Sequence, residues 1–101
     1  MSQAPIRVKV NGEVGELFHV YLRRCRQQVS GARAALRDGD FTPARDSGHR
    51  LKGSGGFYGI DEISSLGGRI ESAARAGDAP LALQLLEQLD AYLARVKPEF
   101  E

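Results

Sequence analysis

Apolar positions recur with a helical period along most of the chain. From Glu13 to Asp38, Val14, Leu17, Phe18, Tyr21, Cys25, Val29, Ala32 and Leu36 follow one another mainly at steps of three and four. Arg23, Arg24, Arg26, Gln27 and Arg33 take the other side. This spacing predicts an amphipathic helix of about 24 residues, ~36 Å long at the usual rise. A second helical segment covers about 41–58, and a third, about 62–76, turns Ile63, Leu66, Ile70, Ala73 and Ala74 inward. The last, about 79–97, turns Ala82, Leu85, Leu86, Leu89, Leu93 and Val96 inward.

The punctuation agrees with these segments. Gly39-Asp40 and Gly77-Asp78 read as a helix stop followed by a cap, and Gly59 and Asp61 do the same work between them. Asp40 or Thr42 can cap the helix over 41–58, and Pro43 suits its first turn. Pro98 closes the last helix. Connections of about two to four residues make successive helices antiparallel neighbours. The expected fold is all-α, an antiparallel up-down-up-down four-helix bundle over residues 13–98, with a tail at 99–101. Residues 1–12 form an N-terminal arm. Ile6, Val8 and Val10 alternate there, but a single strand has nothing to pair with, so an extended or irregular arm is expected.

Composition mainly excludes. The chain has 101 residues, enough for one core, and is 42% hydrophobic and 27% charged, as ordinary soluble domains are. A formal charge of +1 gives no general pull toward nucleic acid or membrane. With Cys25 alone, neither an internal disulfide nor a cysteine-built zinc site is possible. No window is a signal peptide or a bilayer span, so a cytoplasmic protein, or a piece of a larger cytoplasmic one, is expected; a monomer is also expected.

One stretch breaks the local rules. Gly48-His49-Arg50-Leu51-Lys52-Gly53-Ser54-Gly55-Gly56-Phe57-Tyr58-Gly59 lies in a helical segment yet holds five glycines. Each interior glycine costs roughly 1 kcal/mol against alanine, and such a break marks a functional surface or a close helix contact. Arg45, Lys52, Gly53 and Gly56 all lie three, four or seven residues from His49, so they share its face. That stripe has no large apolar residue and should face solvent. Leu51, Ser54, Gly55 and Tyr58 point toward the core. Imidazole is a competent nucleophile near neutral pH. Lys52, and Arg45 beside it, can stabilise charge on a phosphoryl group. Glycines without side chains let another protein approach.

Gly48-His49-Arg50-Leu51-Lys52-Gly53-Ser54 resembles the signature of histidine-containing phosphotransfer (HPt) domains: a small residue, His, any residue, an apolar residue, then Lys-Gly-Ser or Lys-Gly-Ala. Gly59, the two Gly-Asp pairs, the Ile63/Leu66 spacing and the leucine-rich last helix extend the likeness over most of the chain. The resemblance implies a four-helix bundle that accepts a phosphoryl group on His49 from a receiver-domain aspartate and passes it to another receiver. It makes Lys52 the charge stabiliser and Gly53 the small residue that admits the partner; from their place on the same helix face, Arg45 and Gly56 are expected to share in docking that partner. Receivers or a hybrid histidine kinase are the implied partners. Many members have Ala where Gly48 stands, and small or aliphatic residues at Gly55-Gly56-Phe57-Tyr58.

No cofactor of its own is expected, and Mg²⁺ belongs to the receiver. The chain is too short for a kinase ATP domain. Lys52-Gly53-Ser54-Gly55-Gly56 is not a phosphate loop, because its lysine precedes the glycines on a helix. His19 and Cys25 do not share a helix face, so a metal site is not expected. Gly55 and Gly56 can alternatively serve close packing against Gly67-Gly68, and Phe57 and Tyr58 are expected in the core or its rim. The alternative function is an interaction module that binds receivers without transfer.

Overall fold

Left-handed glycines divide the helical part of the chain. In the computed structural model, which describes residues 4–10 and 12–100, Gly39, Gly59 and Gly77 have φ of +81°, +73° and +69°, where a side chain would be strained. They separate α1 (Gly15–Arg37), α2 (Thr42–Phe57), α3 (Asp61–Arg75) and α4 (Ala79–Arg95). A 3₁₀ turn, Gly12–Val14, leads into α1. Asp78 caps α4, accepting from the Leu81 N–H at 3.1 Å. Asp40 accepts from the Thr42 N–H at 3.0 Å. Asp61, expected as an N-cap, is instead the first residue of α3, and Ile60 takes the cap position with no side-chain bond. There Asp61 favours the helix through its charge at the positive end of the dipole.

The core follows the predicted stripes. Phe18, Cys25, Val29, Leu51, Ile63, Ile70, Leu85, Leu86, Leu89 and Leu93 are fully buried. Leu17 is the exception, 58% exposed. It lies about 100° around the helix from Phe18, and Phe18 takes the inward position. The side chain of Val14 lies outside the described residues.

The chain is mostly helical rather than all-α. Ile6–Val10 is a strand, β1, and it has a partner: Val96–Phe100 forms β2, parallel to it, with Ile6 opposite Val96 and Val10 opposite Phe100. The last helix therefore stops at Arg95, short of the expected 97. Proline cannot continue a helix and pushes the residue before it into extended backbone, so Lys97-Pro98 feeds a strand. Val96 keeps its place in the core as a strand residue, at ψ 133°. Arg95 donates to the Ala4 carbonyl at 3.0 Å.

α2 and α3 share the most extensive helix contact, and glycine allows it. A Cβ on Gly48 would lie 2.6 Å from the Glu71 nitrogen and 2.7 Å from the Gly67 carbonyl oxygen. On Gly55 it would lie 2.5 Å from the Ser64 nitrogen, and on Gly67 2.6 Å from the Lys52 nitrogen. The pairs 48 with 71, 52 with 67 and 55 with 64 run in opposite chain directions.

Candidate functional site

The stripe on α2 is exposed as expected, and α3 supplies what stands under it. The His49 side chain is 72% exposed. Arg45 is also exposed, its Nε 3.4 Å from Asp46 Oδ1. A Cβ placed on Gly53 or Gly56 would meet nothing within 4 Å, so both are bare surface. The glycines of α2 thus divide in two. Gly48 and Gly55 carry the approach of α3, while Gly53 and Gly56 face solvent.

Beneath the ring lies a residue that the sequence reading did not single out. His49 Nδ1 is 3.0 Å from Glu71 Oε2, and Arg75 Nη2 donates to the same oxygen at 3.1 Å. The Glu71 side chain is largely buried. The Arg75 guanidinium holds its carboxyl below the ordinary range; burial opposes this, and His49 adds to the lowering. An ionised carboxylate is only an acceptor, so Nδ1–H donates to Glu71. The lone pair then sits on Nε2, at the outer edge of the ring. Arg45, Asp46, His49, Arg50, Glu71 and Arg75 line one depression of about 390 Å³.

Lys52 is placed differently. Its carbonyl accepts from the Ser64 hydroxyl at 2.7 Å. Its methylene chain lies over Gly68, where an added Cβ would be 3.4 Å from Lys52 Cδ. The side chain borders a neighbouring depression of about 610 Å³ with Ser65, Arg69 and Ser72, not the one that holds His49. No ion pair or hydrogen bond engages its ammonium among the described residues. Of the expected facing pair, Gly67 meets α2 backbone and Gly68 meets only this lysine chain.

With this geometry, a family model described as Hpt domain matches residues 16–99. The chain belongs to the Hpt domain family. Neither curated proteins nor solved structures give a match to it. Membership carries phosphotransfer in two-component or multistep phosphorelay signalling, as a carrier domain without its own ATP site. Among the described residues, no helix of this Hpt domain is long and apolar enough to cross a membrane. No group of three or more His, Cys, Asp or Glu there can hold a metal ion.

Phe57 corrects the sequence reading. It was expected in the core or its rim, yet it is 77% exposed. Tyr58 does pack at the rim, stacked on Tyr21 at 4.3 Å. His19 is exposed, edge-on to Phe18 and Phe100. Glu71 had one signal in the chain: it follows Ile70 directly and Gly67 by four, on the buried side of its helix. A carboxylate rarely sits there unpaired.

The Glu71 cluster makes stability depend on acid. Its carboxyl titrates below the ordinary 4.5 in the folded chain, so its contribution is complete above that pH and is lost as pH falls through the lower folded value. Urea midpoints measured across this acid range are expected to drop more steeply in the native sequence than in Glu71→Gln. Parallel curves would remove the cluster from the stability of the fold.

Proposed function

We propose that this Hpt domain accepts a phosphoryl group on His49 Nε2 from the aspartyl phosphate of a receiver domain and passes it to another receiver. The observation that carries this reading is the 3.0 Å bond from Nδ1 to Glu71 under an otherwise exposed ring. It leaves the nucleophilic lone pair on the nitrogen that faces a partner. In the transfer, Nε2 forms a bond to phosphorus as the bond from phosphorus to the aspartate oxygen breaks. The aspartate leaves as a carboxylate, and the Nδ1 proton stays toward Glu71, which stabilises the positive charge that develops on the ring. The same steps in reverse discharge the carrier.

Lys52 meets the charge of the incoming phosphoryl group from the α3 side, reaching it by rotation about its own side chain. Arg45 does so from the preceding turn. Gly53 and Gly56 admit the receiver, which brings its own Mg²⁺. The reading places a monomer in the cytoplasm. The domain is the bundle of residues 13–98, between an N-terminal arm, residues 1–12, and a tail, residues 99–101; β1 of the arm pairs with β2, which starts within the bundle's bounds at Val96. An up-down-up-down antiparallel course is supported by the opposed pairings of α2 with α3 and by Arg26 and Arg33 of α1 reaching α4 at Leu93 and Glu87. A module that only binds receivers has no use for a fixed imidazole tautomer.

The test is to incubate the protein with receiver domains charged by acetyl phosphate and Mg²⁺. An acid-labile, alkali-stable phosphate on the peptide containing His49 is the expected result. Binding without such label, for every receiver that binds, would leave the non-transferring module in its place.

A further inference from the structure

We infer that Phe57 is the anchor by which the partner receiver docks, seated in an apolar socket ringed by carboxylates. This rests on the phosphocarrier reading and names a contact that determines which receiver is chosen. The ring stands 77% exposed at the end of α2, although single exposed phenylalanines of that degree are costly to leave in water. It is not loose. Tyr58 holds it edge-to-face at 5.1 Å and 85°. Tyr58 is stacked on Tyr21 at 4.3 Å and 22°, and the Tyr21 hydroxyl is 2.9 Å from Ser54 Oγ. An aromatic column thus runs from the core out to solvent, and Phe57 is its outermost ring. Ordering such a side chain before contact lowers the entropy lost on binding, and rigid aromatics are the commonest anchors of protein interfaces.

The position is continuous with the site. Phe57 is four residues after Gly53 and eight after His49, about 12 Å along the axis and on the same half of the helix. A partner covering the ring therefore also covers the bare glycines and reaches the imidazole. On α1, Leu17, one turn before the Tyr21 that stacks on Tyr58, and Val20 are exposed too. Scattered apolar side chains mean little, but a cluster beside a functional residue marks an interface. Arg50, beside His49 on α2, and Arg24 on α1 are exposed, and neither guanidinium has an ion pair or hydrogen bond among the described residues. They fit an acidic rim around the apolar contact.

The experiment uses phosphoramidate as a small phosphodonor and, from a panel of purified receiver domains, the one that His49 charges fastest. Phe57→Ala is expected to raise the receiver concentration needed for half-maximal transfer about ten-fold or more, with the maximal rate and the phosphoramidate labelling of His49 unchanged. Leu17→Glu should act in the same direction. An unchanged concentration dependence in both variants overturns the inference, as does a Phe57-dependent dimer of this chain. Equal loss of phosphoramidate labelling also overturns it, because Phe57 would then act on His49 itself. Failure of phosphoramidate to label even the native protein counts against the carrier reading instead. Calorimetric binding of the same receiver then decides on Phe57, a ten-fold weaker complex with Phe57→Ala supporting it.

Discussion

Replacing His49 by Gln is expected to abolish phosphotransfer, to below about one-thousandth of the native rate, the scale at which nucleophile removal acts. The amide nitrogen of glutamine has its lone pair delocalised and offers no second nitrogen opposite a fixed one. The fold should not register the change. His49 is largely exposed, and Glu71 keeps its bond from Arg75 at 3.1 Å, so the unfolding free energy should move by no more than about 0.5 kcal/mol. Rapid-quench transfer from a charged receiver, paired with a urea titration, separates the two effects. Acid-labile label retained on His49→Gln would put the acceptor elsewhere.

The second large effect is one of stability, and its sign differs between adjacent residues. Gly55→Ala places a Cβ 2.5 Å from the Ser64 nitrogen, 3.0 Å from its Cα and 3.1 Å from the Ile63 carbonyl carbon. All three atoms are backbone, so no side chain can rotate away and α3 itself must shift. Overpacking of this kind costs typically 1–3 kcal/mol, more when rigid, and the better helix propensity of alanine offsets about 1 kcal/mol of it. A net loss of about 2 kcal/mol is expected, a fall in melting temperature of roughly 10 °C for a chain of this size. Gly56→Ala meets nothing within 4 Å and should gain up to about 1 kcal/mol. If both variants melted alike, the α2–α3 contact would not be as close as described.

That contrast shows where the sequence was legible. Period and punctuation are local properties, and they located four helices and the left-handed glycines at 39, 59 and 77. The facing of His49, Arg45, Gly53 and Gly56 also follows from spacing on one helix. What could not be read lies between elements. Gly55 and Gly56 look alike in the chain and part only when α3 lies against one of them. Glu71 enters the site from 22 residues away in sequence, because Gly48 and Gly67 let two helices close together. β1 found a partner some 90 residues later, a pairing that no local pattern announces. By apolar character Leu17 reads inward beside Phe18, and Phe57 reads as core or rim beside Tyr58, yet only Phe18 and Tyr58 pack there.

The parallel pairing of β1 with β2 has a mechanical consequence. A pull on the two ends of the chain acts on the start of Ile6–Val10 and the end of Val96–Phe100, along opposite directions of the same five-residue ribbon. The bonds between the strands are then loaded in shear, all at once, rather than opened one after another. All four helices lie in the loop that this ribbon closes. Tension transmitted through the termini is borne across the ribbon, and the helices that hold His49 carry none of it until the strands slide apart.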